Sequence, residues 1–394
     1  MDTLSSGATL NRLPVHVRDE LTDVDRLHAI WTRYRHGQPQ EERTAALRAL
    51  IRRRVRDWGG GPALEELVVS TSEDGMSGQP VTVDYVEDLG RRAAALPADC
   101  RHRSPGPLGT AGAGRLAGAA AVHAHPVVRA AHVYAECVEV LRGLRAAESD
   151  GPGAGTGGAP SDDDPPWALP WILTSLVLQR ADHPPLLPDP RCFPPPSEER
   201  DPAARFAELV HHFARLVTSA LRDELCWAPA SVPPPRAHIS PLASVTCRRV
   251  QDYVRSRRGS LALILQALDP GATTTVRTGG SDDAPEDAAP APAARTVLTP
   301  GAAHWWTSLE LVVGDASLTL FVVVQEVGCP TTGVLAVTAD ARLTTPEGVR
   351  DALDMSGAES VTVMPSDCVD DRWPQIRDLV DEAVSRAMNV LTRV

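Results

Sequence analysis

The sequence FAELVHHFARLVTSAL, Phe206–Leu221, contains the clearest helical pattern in the chain. Its apolar residues recur every three or four positions, the spacing that places side chains on one face of an α-helix. The same period marks segments on both sides, at residues 41–58, 116–144, 167–180 and 245–268. These segments predict a helical region that occupies about the first two thirds of the chain.

The composition changes after this helical region. Residues 271–295 are rich in Gly, Thr, Asp, Ala and Pro, a composition that predicts a flexible linker. Beyond the linker the apolar residues alternate, most clearly in SLTLFVVVQEV, Ser317–Val327, and a period of two is typical of β-strands. Further strands are predicted at 308–313, 333–339 and 360–363, and a closing amphipathic helix at 372–394.

The combined pattern predicts a mainly α protein: a helical bundle, a flexible linker and a small C-terminal α+β domain. The predicted boundaries are an N-terminal helical region at 1–62, a helical domain at 63–270 with an acidic Gly/Pro-rich insertion at 145–166, the linker at 271–296, and the α+β domain at 297–394. Between the first two predicted strands, Gly314 and Asp315 indicate a tight turn.

Composition narrows the classes of function. A net charge of −12 argues against binding of nucleic acid or anionic membranes by the whole surface. Seven cysteines without a C-x-x-C pair fit reduced thiols, and arginine without lysine, with 35 prolines, indicates a high-GC bacterial genome. The chain has neither an apolar signal segment nor a run of about 18 apolar residues. We therefore expect a cytoplasmic protein with no membrane segment, metal or cofactor.

Three segments of the helical region resemble the Fic (Fido) family. HPVVRAAHVYAECVEV, His125–Val140, resembles the family helix that leads into the active-site motif. WILTSLVLQRADHPPLLP, Trp171–Pro188, is similar to the helix that follows the motif and ends in a Pro-Pro turn. The segment Phe206–Leu225 stands in the place of the family's next core helix. The resemblance covers less than half of the chain and implies a Fic-like helical bundle.

Between the first two of these helices the family carries the motif H-P-F-x-D-G-N-G-R, which transfers AMP. In the family the His is a general base that takes the proton from a target hydroxyl group. The acidic residue holds Mg²⁺ on the nucleotide phosphates. The glycines present backbone N–H groups to the phosphates at a helix N-terminus, and the Arg neutralises phosphate charge.

This chain departs from the family at that motif. The register of the first helix places Leu141, Arg142 and Gly143 where His-Pro-Phe would stand, and none of these residues can act as a base. The register of the second helix places DPPWA, Asp164–Ala168, in place of D-G-N-G-R. The two registers put the motif Asp at 145 and at 164, which implies an insertion of 164 − 145 = 19 residues. We therefore predict that the protein does not transfer AMP.

The inserted loop is acidic. Residues 146–179 contain no Arg, Lys or His, whereas they include Glu148, Asp150 and Asp162–Asp164. A triphosphate bound at this loop would meet negative charge that only a metal ion could offset. Two interpretations of Asp150-Gly151-Pro152-Gly153 stay open: a remnant similar to D-G-N-G, or a Gly-rich surface loop.

A second segment is similar to a regulatory motif of the family. Ser70–Gly75 resembles the inhibitory Ser-x-x-x-Glu-Gly motif, with Asp74 in place of the Glu. In the family that Glu pairs with an Arg of the active-site motif and blocks productive ATP binding. Since this chain has no motif Arg for such a pair, a turn is the preferred interpretation of the segment.

The candidate pocket residues follow from these alignments: His132, Leu141, Asp150, Asp164, Trp167 and Trp171. The two tryptophans are four residues apart on a predicted helix, so they either stack on a flat ligand or pack in the core. His125 and His132 could share a helix face, but no nearby Cys or carboxylate completes a metal site. No catalytic residue is predicted.

The preferred functional hypothesis is a degenerate Fic-domain protein that acts as a scaffold or regulator and binds a protein or a small molecule, with a homodimer as a further expectation. One alternative is a Fic-fold enzyme repurposed for nucleotide- or metal-dependent chemistry through Asp150 or Asp162–Asp164. Another is a DNA-binding regulator that uses the basic helix at 240–259, which carries Arg248, Arg249, Arg255, Arg257 and Arg258. The acidic total charge disfavours nucleic acid as a partner.

Overall fold

The computed structural model describes residues 12–36, 40–100, 102–149, 167–186, 201–226, 240–281, 292, 303–328, 332–353 and 360–393. Within these residues the chain forms ten α-helices and six β-strands. It divides into two compact units, residues 1–221 and 222–394. A helical part followed by an α+β part is therefore confirmed.

The first unit is built from helices. Their bounds are α1 Val15–His36, α2 Gln40–Asp57, α3 Pro62–Met76, α4 Val83–Ala94, α5 Thr110–Ala120, α6 Pro126–Ser149, α7 Ala168–Gln179 and α8 Pro202–Leu225, the last of which extends beyond residue 221. Three of them, α1, α3 and α4, lie outside the segments predicted above. In α1 the sequence feature that indicates a helix is the regular spacing of Val17, Leu21 and Val24, which are all buried.

Helix α7 lies at the centre of this unit. All 12 of its residues are buried, as expected for a helix that is apolar around its whole circumference. It packs against α6 and α3. The Trp171 ring lies 5.4 Å from Tyr134 of α6 and 5.9 Å from Phe213 of α8, measured between ring centroids. Helices α6 and α7 therefore lie side by side.

The predicted helix at 116–144 is wrong at one point, because the structure has two helices, α5 and α6, with a break at residues 121–125. Pro126 begins α6, and proline cannot continue a helix because it has no backbone N–H and its ring collides with the preceding turn. The side chain of His125 covers the new helix start, where its Nδ1 accepts from the backbone N–H of Val127 at 3.2 Å.

The turn predicted at Ser70–Gly75 is also wrong, because α3 continues to Met76. The segment stays helical because three of its residues face the interior: Thr71, Ser72 and Gly75 are buried. The hydroxyl of Thr71 donates to the Leu67 carbonyl at 2.8 Å, so its polar atom is satisfied inside the helix. Packing against α7 thus overrides the weak helix preference of the Ser-Thr-Ser run.

The second unit contains a sheet and two helices. Their bounds are α9 Pro241–Leu268, β1 Thr273–Gly280, β2 His304–Val313, β3 Ala316–Val327, β4 Val334–Thr345, β5 Gly348–Asp351, β6 Val361–Val363 and α10 Val369–Leu391. The strand order is β1-β2-β3-β4-β5, every pairing is antiparallel, and β6 pairs with β4 beyond the β5 contact. This is the meander that the alternating pattern predicted.

Helices α9 and α10 pack on the same core as one face of the sheet. Alternate residues of β3 from Ala316 to Val324 point into this core, which also holds Val254 and Leu265 of α9 and Val380 of α10. The other β3 residues from Phe321 onward are buried as well. From Leu320 onward β3 is therefore buried on both faces, which explains the consecutive apolar residues Leu320–Val324.

The predicted linker and the domain boundary differ from the structure. Residues 273–280, placed in the linker at 271–296, form β1, and 282–291 and 293–302 lie outside the described residues. β1 has little apolar pattern of its own and is fixed by antiparallel pairing with β2. Helix α9, assigned to the helical domain, packs on the sheet, and the unit boundary falls at 221 rather than 270. The first unit also includes residues 1–62.

The tight turn predicted at Gly314 and Asp315 is confirmed, because Val313 pairs directly with Ala316. Gly314 has a φ of 55°, the positive value that two-residue hairpin turns require.

We expect Gly314→Ala to lower the free energy of unfolding by about 1–2 kcal/mol in urea titrations. The control is Gly118→Ala in α5, where an added Cβ meets open space; this variant should be neutral or slightly more stable. Equal losses in both variants would contradict the backbone argument.

Candidate functional site

A cavity in the first unit lies between α2, α3, α7 and the residues that follow α7. Its wall is mainly apolar and includes the indole rings of Trp58 and Trp171. Four polar side chains join this wall: Thr71 and Ser72 from α3, and Ser175 and Gln179 from α7. An apolar hollow with a few converging polar groups is the usual form of a small-molecule site.

The cavity is narrow and partly open to solvent. The empty space measures about 350 Å³ when the part open to solvent is included, but the centre of a water-sized sphere can occupy only about 10 Å³ of it. That space suffices for about one water molecule. A larger occupant therefore requires part of the wall to move, and Pro185 and Leu186 belong, with Trp58, to the part of the wall that lies outside the helices.

Gln179 is the most informative polar residue of the wall. Its side chain is 8% exposed, and Nε2 donates to the Ser72 hydroxyl at 2.7 Å and to the Ser72 carbonyl at 3.3 Å. Because a carbonyl can only accept, these contacts fix the orientation of the amide. Its Oε1 is buried and has no hydrogen-bond partner among the described residues. Leaving a buried acceptor unsatisfied costs about 1–3 kcal/mol.

The close approach of α3 to Gln179 depends on a glycine. A Cβ built at Gly75 would stand 2.9 Å from Gln179 Oε1 and 3.0 Å from its Cβ, so a larger residue would displace the amide. Gln179 is the last residue of α7, whereas the family motif would end at Ala168, the first residue of that helix. The Ser70–Gly75 segment thus contacts the opposite end of α7 from the one where the motif would stand.

The predicted pocket residues are not all at this cavity. Trp171 lines it and is 2% exposed, with aromatic neighbours on two helices. Leu141 is completely buried in α6, and Trp167 is a half-buried residue that precedes α7. His132 is half-buried on α6 in an edge contact with Phe206, with ring centroids 6.1 Å apart. Asp150 and Asp164 lie outside the described residues, as do Asp162 and Asp163.

Next to the cavity lies a group of histidines that the sequence did not predict. The rings of His28 from α1 and His183 from the segment after α7 are stacked, with centroids 4.2 Å apart and planes 12° from parallel. His28 Nε2 donates to the Asp182 carbonyl at 2.6 Å. The His183 Nδ1 donates to the Ala181 carbonyl at 3.0 Å. These residues are more than 150 positions apart in sequence, so no local spacing could reveal them.

Burial decides the protonation of His183. The side chain is 5% exposed, and burial, followed by the proximity of His28, lowers its pKa to about 4. Its Nε2 is buried and has no hydrogen-bond partner among the described residues. Nearby, His125 Nε2 lies 3.1 Å from Asp25 Oδ1, and this hydrogen bond lowers the pKa of Asp25. His183 is therefore neutral near pH 7.

In the second unit, several arginines of the basic helix have partners within the protein. Arg249 of α9 pairs with Asp370 and lies over the Trp373 ring at 4.6 Å. Arg257 Nη2 lies 2.7 Å from each carboxylate oxygen of Asp381. These contacts join α9 to α10, so the positive charge serves packing at these two positions.

Two further classes of site were tested in the described part of the chain. None of its helices combines the length and the apolar composition that a membrane-spanning segment needs. Within the same residues, no three His, Cys, Asp or Glu side chains are grouped so that they could hold a metal ion.

No family model, curated protein or solved structure matches the chain at significant similarity. The class is therefore defined by the architecture alone: a helical unit with a small cavity, followed by an α+β unit with a six-stranded antiparallel sheet.

Proposed function

We propose that this protein is a degenerate Fic-like scaffold or regulator that has no AMP-transferase activity and binds a small molecule in the cavity between α2, α3 and α7. The Fic part of the proposal rests on the two sequence segments quoted above, which form the adjacent helices α6 and α7. The binding part rests on the geometry of the cavity.

One observation carries the binding proposal: the fixed amide of Gln179, whose oxygen is buried without a partner among the described residues in a mainly apolar wall. An acceptor in such a place favours a ligand that brings a hydrogen-bond donor on an apolar body. The indole rings of Trp58 and Trp171 favour an aromatic body. We therefore expect small aromatic alcohols or amines to bind better than hydrocarbons of the same shape.

The test compares phenol with toluene as ligands in thermal unfolding. At a concentration tenfold above its dissociation constant, phenol should stabilise the folded state by about 1.4 kcal/mol. Toluene, which has the same shape but no donor, should bind about fivefold more weakly, since one hydrogen bond contributes about 1 kcal/mol. Gln179→Leu should abolish this preference.

The matched control is Gln79→Leu, the same substitution at an exposed residue after α3. It should leave both affinities unchanged. The unfolding temperature of each variant without ligand shows whether the fold is retained. Equal affinity of the wild-type protein for phenol and toluene would contradict the role of Gln179, and no stabilisation by either would contradict the cavity as a binding site.

The lack of transferase activity has its own test. Incubation with radiolabelled ATP and Mg²⁺ should leave no label on the protein or on added protein targets. If the wild-type protein transferred label and Asp150→Asn or Asp164→Asn did not, the result would instead favour the alternative of a repurposed nucleotide-dependent enzyme. The second alternative, a DNA-binding regulator, has less support because Arg249 and Arg257 are engaged with α10.

Binding of a protein partner, including a second copy of the chain, has one supporting observation in the second unit. Leu263, Ile264 and Leu268 near the end of α9 are all more than half exposed. Clusters of exposed apolar residues are common in protein–protein contacts. Sedimentation of the wild-type protein and of a variant with three Ser substitutions at these positions would test a homodimer.

A further inference from the structure

We infer that the stacked His28 and His183 form a pH-sensitive latch that holds residues 181–186 closed against the cavity and releases them on acidification. The latch joins α1 to the segment after α7, and Pro185 and Leu186 at the end of this segment form part of the cavity wall. The inference that the latch controls access to the cavity rests on the proposed binding function. The inference that residues 181–186 open on acidification does not.

Three contacts hold the segment closed. The His28 ring lies on the His183 ring, and its Nε2–H bonds to the Asp182 carbonyl. Arg35 of α1 pairs with the Asp182 carboxylate at 2.8 Å. Asp182 has a φ of 58°, a conformation that is strained for a residue other than glycine. The segment is thus kept in an unfavourable backbone geometry by contacts to α1.

Protonation of His183 acts against the closed state. Nδ1 already donates to the Ala181 carbonyl, so an added proton must go to Nε2, which is buried and has no acceptor among the described residues. The resulting charge would also lie 4.2 Å from the His28 ring. A buried cation without a partner is costly, whereas the open segment exposes the ring to water.

Other charged groups surround His183, and their effects differ in sign. The proximity of His28 opposes a positive charge on His183, whereas Asp25 of α1 favours it. His125, before α6, also opposes a positive charge on His183 and contacts Asp25. The other charged groups near His183 are Arg180 and Asp182, which are close to it in sequence, Arg35 on α1 and Arg129 on α6.

The direction of the pH effect follows from linkage. The closed-state pKa of His183, about 4, lies below the value of about 6.5 expected for an exposed histidine. The open state therefore binds more protons between these pH values, and the closed state is most favoured above about pH 6.5. Opening should increase about twentyfold between pH 7 and pH 5.

Hydrogen–deuterium exchange measures this opening directly. The amides of Asp182 and His183 bond to the carbonyls of Gln179 and Leu178, so they exchange only when the segment opens. After correction for the intrinsic pH dependence of exchange, we expect the twentyfold increase in wild type and none in His183→Gln. The control His132→Gln, at a half-buried histidine of α6, should keep the wild-type increase.

If His183→Gln does not fold, a second variant, His28→Asn, tests the same proposal. His28→Asn removes the stack, so it should raise opening at pH 7 and reduce the change between pH 7 and pH 5. Equal opening of wild type at the two pH values, or an unchanged increase in His183→Gln, would overturn the latch. Phenol binding is measured in parallel: pH-dependent opening without phenol binding would keep the latch and reject the binding function.

Discussion

Trp171→Ala is expected to lower the free energy of unfolding by about 3–5 kcal/mol, the cost of removing a large aromatic side chain from a core. Trp171 is 2% exposed in the first turn of α7, where its ring contacts Tyr134 and Phe213. The loss combines the transfer energy of the indole with the void left among rigid aromatic neighbours. Urea unfolding followed by circular dichroism measures it.

The control for this prediction is Trp167→Ala, the same substitution one helical turn earlier. Trp167 precedes α7 and is only half-buried, so its removal should cost clearly less than that of Trp171. The comparison also bears on the sequence hypothesis that both tryptophans stack on a ligand. If Trp171→Ala left stability unchanged and only weakened ligand binding, its main role would be recognition rather than packing.

The second large effect is expected in the α+β unit, where Leu320→Ala should cost about 2–5 kcal/mol. Leu320 lies in the middle of β3, is 1% exposed and belongs to the core shared with α9 and α10. A cavity at this point faces two helices that cannot both move in to fill it. Urea unfolding gives the magnitude, and amide exchange of β3 and α10 shows whether the loss is located in this unit.

Thr319→Ala is the matched control in the same strand. Thr319 is half-buried and points to the other face of the sheet, so its truncation should cost no more than about 1 kcal/mol. Similar losses in both variants would contradict the assignment of the two faces of β3. That assignment rests on the register in which Leu320 pairs with Leu309 and Ala341.

Most of the secondary structure could be predicted from local pattern. The helices α8, α9 and α10 and the strands β2, β3, β4 and β6 all appear near their predicted positions, whereas β1 and β5 were not predicted as strands. The errors lie where local pattern conflicts with packing. Ser70–Gly75 has turn-forming residues but forms the end of α3, and residues 273–280 have linker composition but form β1.

The candidate site was less predictable. Of the six pocket residues proposed from the family registers, Trp171 lines the cavity, while Leu141 is a core residue of α6. Gln179 and Ser72 were not proposed, because a Gln at a helix end and a Ser in a polar run are ordinary features of any sequence. Their hydrogen bond joins residues 107 positions apart, and only the packing of α3 on α7 creates it.

The sequence by itself determined the period of each element, because hydrophobic spacing reflects the geometry of helices and strands directly. It thus determined a helical part, an antiparallel meander and the turn at Gly314. The tertiary structure alone decided which elements share a core, such as α9 with the sheet, and which distant polar groups meet, such as His28 with His183. The physical reason is that the spacing of apolar residues shows which face of a helix or strand is buried. Which other element covers that face depends on contacts between residues that are far apart in the sequence.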